Sequence, residues 1–181
     1  ELEAEQYINK VCLTNLYFEN NKKFQNNFCE LKIAKKTKCE KNPVNIVEYL
    51  KQEDINTIIS HHIYNGLNYL HLEALYLNIP LIHNSTYIKE YGYYYSEFDV
   101  AQGKEKLKNV LLNHNKHLEL YNLKNKECIY NFSISNPKNI EGYKQLLSKI
   151  MNYNRFEDFF WNQTKKLKIY KWHHYFKIYD N

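Results

Sequence analysis

Short apolar runs alternate with helical stretches over residues 55–115, and this predicts an α/β domain built on a mostly parallel sheet. Two runs carry the strand signal. "NTIIS" holds a β-branched stretch at Thr57–Ile59, and "IPLIH" holds a second one. Between them "NYLHLEALYL" reads as a helix from about Asn68 to Leu77. Strand, helix, strand at this spacing is a βαβ unit, whose strands pair in parallel.

The remaining elements come in order. "NNKKFQNNFCEL" places Phe24 and Phe28 one helical turn apart, with Leu31 a turn later. "KNPVNIVEYLKQEDI" predicts a short helix capped by Asn42, with Pro43 in its first turn and Val44, Val47, Leu50 and Ile55 as its apolar stripe. Thr57–Ile59 is expected to be a buried strand. "HHIYNGLN" is a polar turn leading into the Asn68 helix. A third helix is expected near Thr86–Glu90, and "YGYYYS" is an aromatic strand whose Tyr91, Tyr93, Tyr94 and Tyr95 alternate into and out of the sheet, with core packing as the first reading and a sugar-stacking platform as the second. "DVAQGKEKLKNVLLNH" is an amphipathic helix with Asp99 as cap. After His114 the pattern turns helical, and "NPKNIEGYKQLLSKIM" opens on an Asn-Pro start signal. The expected organisation is a Rossmann-like domain at 1–135 and a helical C-terminal segment at 136–181. That segment is aromatic and basic, and is expected to pack back on the domain or on a missing N-terminal domain.

The bulk numbers bound the reading. The 181 residues suffice for one core-bearing domain. The chain begins at Glu1 rather than Met, so a fragment or a processed product is expected. The net charge of +5 suits an anionic ligand such as a nucleotide diphosphate and does not require nucleic acid. Cys12, Cys29, Cys39 and Cys128 form no CxxC pair, and no signal peptide or long apolar run is present. Reduced thiols in the cytoplasm, with no membrane span, are expected.

The chemistry centres on "SHHIYNGLNYLHLEALYLNIPLIHNS". A strand ends at Ser60, a turn holds Gly66, and a helix begins at Asn68. Backbone N–H groups and the dipole of such a helix N-terminus suit a phosphate. Glu73, alone in an apolar stretch, shares a helix face with Tyr69, and the pair is expected to look into a cleft at the strand ends. A carboxylate there can accept both hydroxyls of a vicinal diol. His61 and His62 point to opposite sides of an extended chain, and His61 is the one expected to face a ligand. His61, His62, His71 and His83 fit no standard zinc spacing and no DxD motif occurs, so no metal is expected. Lys35, Lys36 and Lys38 read as an exposed basic loop, with neutralisation of a diphosphate as the second reading.

These residues resemble the donor-binding segment of glycosyltransferases with the GT-B fold. Asn65-Gly66-Leu67-Asn68 stands where that family has an acidic residue and a Gly-rich turn. Leu72-Glu73-Ala74 matches its second acid, Asn78-Ile79-Pro80-Leu81-Ile82 its small-residue turn and strand, and "EFDVAQGKEKLKNVLLN" its next helix. The pattern is also similar to a viral and bacterial group carrying "SH…NYxxLEAxYLxxPLxHNS…GYYYxxFD", for which the likeness implies GT-B-like folding and no assigned substrate.

The resemblance implies metal-independent transfer of a sugar from a nucleotide-diphosphate sugar to a glycan, protein or lipid acceptor, with no cofactor. It implies Glu73 as the ribose ligand and Gly66, Leu67 and Asn68 as an amide cradle, beside His61, Asn65 and Tyr69. Asn65 departs from the family's acid and cannot supply its charge. The acceptor half and the catalytic base are expected in an N-terminal domain or a partner. Two other readings stand beside it: a non-catalytic GT-B-like interaction module, and a basic, aromatic nucleic-acid binder.

Overall fold

The computed structural model describes residues 6–14, 22–40, 42, 44–63, 66 and 68–151. The chain is α/β, with small parallel sheets flanked by helices and a long C-terminal helix. Two compact units are distinguished, Glu1–Ile129 and Tyr130–Asn181.

The first unit opens with β1 (Val11–Leu13), which pairs in parallel with β2 (Thr37–Cys39). Between them lies α1 (Lys22–Cys29), where Phe24 and Phe28 stack with ring centroids 5.8 Å apart, as their spacing predicts. Helix α2 (Ile46–Gln52) starts later than the Asn-Pro signal suggested. Asn45, not Asn42, is its cap: the Asn45 Oδ1 accepts from the N–H of Val47 at 3.1 Å and of Glu48 at 3.3 Å. Its extended backbone suits the cap position, and the two bonds satisfy donors that the first turn leaves open. Pro43 lies outside the described residues.

The second sheet has the order β3-β4-β5, all parallel: β3 (Ile58–Ser60), β4 (Leu81–His83) and β5 (Tyr93–Tyr94). Helix α3 (Tyr69–Tyr76) makes the crossover from β3 to β4, and Asn68 caps it through a 3.0 Å bond to the Leu70 N–H. At its other end Asn78 adopts φ 56°, a left-handed conformation that Asn tolerates, and Ile79 N–H closes the helix onto Ala74 C=O at 2.9 Å. The predicted third helix is a single 3₁₀ turn, Thr86–Ile88. Gly92, at φ 63°, then turns the chain into β5; a Cβ there would lie 2.9 Å from the Leu81 carbonyl oxygen. Helix α4 (Val100–Asn113) is capped as expected by Asp99, which accepts from Gln102 N–H at 2.8 Å.

Strand β4 is buried on both faces. Leu81 faces a core with Leu50, Ile58, Ala74, Leu75 and Ile88, joined by Tyr121 and Cys128 from α5 (Leu118–Phe132). Ile82 faces the opposite way, onto Tyr95 and Val110 of the α4 side. Each fully buried Leu or Ile contributes about 1.5–3 kcal/mol. Strand β3 departs from the expected buried strand. Ile59 pairs in register with Ile82, hence shares the α4-side face, yet is 60% exposed. Helix α4 packs chiefly on β4 and β5.

One side chain holds the start of β4. The Tyr121 hydroxyl accepts from Leu81 N–H at 3.1 Å and donates to Ile79 C=O at 2.9 Å. Burial pushes its phenol up to about 12, so it stays protonated at neutral pH. Beside it, the buried Asn125 donates to Asn78 Oδ1 at 3.1 Å.

In the second unit, α6 (Pro137–Met151) begins at the expected Asn-Pro signal, with Asn136 Oδ1 accepting from Lys138 N–H at 3.0 Å. Residues 152–181, with the lysines at 165–168 and Lys171, lie outside the described residues.

Tyr121→Phe would leave a buried donor and acceptor without their partner. Urea unfolding should register a loss of about 1–3 kcal/mol, larger than for a Tyr→Phe change at exposed Tyr143.

Candidate functional site

The carboxyl edge of the β3-β4-β5 sheet gathers the polar chemistry. Open parallel sheets bind ligands at this edge, because strand ends and helix starts meet there. Ser60, His61 and His62 leave β3; His83, Asn84 and Ser85 leave β4; Tyr95 comes directly after β5.

Asn84 ties the three exits together. Its amide oxygen accepts from His62 N–H at 3.0 Å, while its Nδ2 donates to His62 C=O at 2.9 Å and to Glu97 C=O at 3.4 Å. It thus acts as a short extra rung beyond the central strand. Ser85 donates its hydroxyl to Gly66 C=O and so fixes the turn ahead of α3.

Below this rung sits a run of histidines. The ring of His71 lies 5.4 Å from that of His62 and 5.6 Å from that of His83. His71 Nε2 shares a 2.9 Å bond with Ser60 Oγ. His83 is held neutral by geometry: Nδ1 accepts from Ser85 N–H at 3.2 Å and Nε2 donates to Tyr91 C=O at 2.8 Å. His62 Nε2 pairs with the Asn68 amide at 2.8 Å. Burial drives His71 down to about 4, helped by His83 and His62, whose charges would repel its own. His62 and His83 are lowered by the same desolvation. His71 Nδ1 is buried without a partner among the described residues. Ser60 and His71 make a hydroxyl–imidazole pair, but no carboxylate among the described residues orients the ring, so the pair lacks the third member of a hydrolytic triad.

His61 turns the other way, as the alternation of an extended chain requires. Its Nδ1 shares a 2.8 Å bond with the Tyr95 hydroxyl, its ring packs 5.1 Å from that of Phe98, and it is exposed. Where the phenol donates, the His61 Nε2–H is left facing outward as a donor.

The other predicted site residues divide between committed, exposed and undescribed positions. Asn68 is the helix cap and partner of His62, so its side chain is committed. Gly66 has no left-handed backbone; a Cβ would instead meet the Tyr87 ring at 2.6 Å. Its lack of a side chain therefore seats an aromatic ring rather than bending the chain. Asn65 and Leu67 lie outside the described residues. Tyr69 and Glu73 share a face, but that face looks to solvent: Tyr69 is 85% exposed, and Glu73 is exposed with no partner among the described residues. The reason is helical phase. His71, Ala74 and Leu75 take the buried side of α3, which leaves Tyr69, Glu73 and Tyr76 outward.

Two of the three upstream lysines are engaged elsewhere. Lys36 donates to Ile8 C=O at 2.7 Å, and Lys38 pairs with Glu40 and Glu53. No group of three or more His, Cys, Asp or Glu side chains among the described residues is placed to hold a metal ion.

A groove of about 610 Å³ opens at the other end of the strands, lined in part by Thr57, Asn78, Pro80 and Val110. The imidazole in its lining, His114, is already bonded to the Tyr93 hydroxyl at 2.8 Å. Converging donors and a helix N-terminus are found at the carboxyl edge instead, which makes that edge the stronger candidate. Sequence reasoning missed Asn84, Ser85 and the pairing of Ser60 with His71; the tripeptide His83-Asn84-Ser85 at the end of a buried strand was their one signal.

The buried histidines set a pH dependence. In the unfolded chain they titrate near 6.5, while His71 in the fold titrates near 4. The unfolded state therefore binds more protons between these values, and stability present above pH 6.5 falls as the pH drops towards 4. Urea midpoints measured from about pH 7.5 to 4.5 should decline through this window, and His71→Gln should flatten the decline.

Comparison with curated proteins and with solved structures returns no match. Residues 3–147 match one family, described as "Protein of unknown function (DUF2827)". With most of its length matched, including both parallel sheets and the histidine edge, the chain belongs to the DUF2827 family.

Proposed function

We propose that this chain is the donor-binding half of a GT-B-type, metal-independent glycosyltransferase. One observation carries the reading: at the carboxyl edge of a parallel sheet, the Asn68-capped N-terminus of α3 is succeeded one turn later by an exposed Glu73 that has no partner among the described residues. The helix dipole and the N–H groups ahead of Leu70, whose own N–H is taken by Asn68, would hold the diphosphate. His61, exposed and bonded through Nδ1 to Tyr95, would add a donor at Nε2 where the phenol donates. Glu73 would accept the ribose hydroxyls, and Tyr69 beside it offers a face for the base or sugar.

In the reaction the bond between the sugar's anomeric carbon and the diphosphate oxygen breaks, and a bond to an acceptor hydroxyl forms. The helix N-terminus and the His61 ring would meet the charge left on the diphosphate. The acceptor half and its base would come from another part of a longer protein or from a partner. The four cysteines are free thiols, which supports the cytoplasm as the compartment. No helix among the described residues is long and apolar enough to cross a membrane.

A second reading, a non-catalytic interaction module on the same scaffold, is favoured by the surface around Glu73. Tyr69 and Tyr76 flank it at 85% and 70% exposure, more aromatic area than a ribose needs.

A thermal-shift screen of UDP-, GDP- and TDP-sugars separates the two. A matching nucleotide at about a hundred times its Kd should raise the melting temperature by roughly 5–10 °C, and Glu73→Ala should weaken that binding at least about tenfold, the loss of a charge-assisted hydrogen-bond pair. If no nucleotide shifts the wild type, the enzyme reading falls. If one does and Glu73→Ala binds equally well, Glu73 is not the ribose ligand.

A further inference from the structure

Helix α6 raises a problem of stability. It runs for 15 residues, yet none of its side chains is buried. An isolated helix of this length is marginal in water, and helices in proteins are stabilised by covering an apolar face. Helix α6 has such a face. Ile140, Tyr143, Leu147 and Met151 recur at helical spacing, with Leu146 beside them, and their exposures run from 41% to 83%. Ile150 falls within the same arc, which spans roughly 140° of the helix at about 100° per residue. Lys138 and Lys149 lie on the opposite face, and Lys144 lies at the border. The N-terminal end is tied down by the Asn136 cap and by Asn139 Nδ2, which donates to Asn131 C=O and Ser133 C=O at 2.8 Å each.

The charge of the chain identifies the chemistry that suits this face. Residues 1–136 carry 16 basic and 16 acidic side chains, and residues 137–181 carry nine basic and four acidic ones. The whole net charge of +5 therefore belongs to residues 137–181. The same segment holds both tryptophans, Trp161 and Trp172. An amphipathic helix with lysines opposite an aliphatic stripe, continued by aromatic and basic residues, has the chemistry of a segment that lies in a bilayer interface.

We propose that α6, through Ile140, Tyr143, Leu147 and Met151, docks the protein on an anionic lipid surface. The aliphatic stripe is what favours lipid over nucleic acid. Single strands are held by basic groups and by stacking on aromatic rings, and they offer nothing to Ile140, Leu147 or Met151. Acyl chains offer these residues an apolar medium. The proposal is independent of nucleotide binding at the carboxyl edge.

The test is flotation of the 181-residue chain with vesicles of phosphatidylcholine alone or with about 30 mol% phosphatidylglycerol, an anionic content that attracts basic segments. The chain should float with the anionic vesicles, and less so as salt is raised. Its tryptophan emission should shift to the blue, since both tryptophans come after α6 in the chain. Leu147→Glu with Met151→Glu should weaken binding at least about tenfold, because a charge replaces buried apolar surface. Lys144→Glu with Lys149→Glu should weaken it on the anionic vesicles. All four positions are exposed, so the melting temperature in free solution should stay unchanged; this control separates lost docking from lost folding. Absence of flotation, equal flotation on neutral vesicles, or undiminished flotation of the stripe variant would overturn the proposal. So would a wild-type dimer, dissolved by the stripe variant, that ignores vesicles. Tight binding of a single-stranded oligonucleotide that anionic vesicles fail to displace would overturn it as well.

Discussion

The three residues of β4 carry the constraint on which the rest of the first unit depends. Leu81, Ile82 and His83 are all buried, so the strand must be covered on both faces and paired on both edges. Its backbone groups have no access to water and must find partners in β3, in β5 or in side chains. The ladder supplies most of them. Tyr121 satisfies the entry to the strand, and Asn84 extends the pairing beyond its exit. With both ends fixed, the register of β3 and β5 is set, and with it the position of every side chain at the carboxyl edge.

That edge combines burial with polarity in an unusual proportion. Three histidines lie ring to ring beside a helix N-terminus, and no carboxylate is bonded to any of them among the described residues. A cation there would be disfavoured by desolvation and by the positive end of α3, so the rings remain neutral. The three rings are packed into the edge rather than presented on it, with His71 and His83 almost wholly buried. The ring nitrogens that could ligate a metal are largely spent on Ser60, Asn68, Tyr91 and Ser85.

Helices α3 and α6 show the same pattern read in two ways. In α3 the apolar side is covered by the sheet, and the exposed stripe is Tyr69, Glu73 and Tyr76. In α6 the apolar side is itself exposed. The first helix is stabilised by its own domain and presents a polar, aromatic face. The second presents the kind of surface that helices ordinarily bury.

The sequence by itself determined the local structure well. Periodicity placed the strands at "NTIIS" and "IPLIH" to within two residues, and Asn68 and Asp99 cap the helices they precede, because a cap is a bond between near neighbours in the chain. The cap of α2 was misplaced by three residues, since Asn42 and Asn45 offer the same chemistry and only backbone conformation chooses between them. Tertiary structure alone decided the site. Glu73 stands among apolar neighbours in the sequence, but neighbours along a helix point in different directions, and the packing of His71, Ala74 and Leu75 leaves it outward. His62, His71 and His83 converge only because β3 and β4 pair in parallel with Ser60 opposite His83. That register is a property of strands brought together across a helical crossover. No local pattern encodes it, because the hydrogen bonds that fix it join residues of β3 to residues of β4, with the whole of α3 between them in the chain.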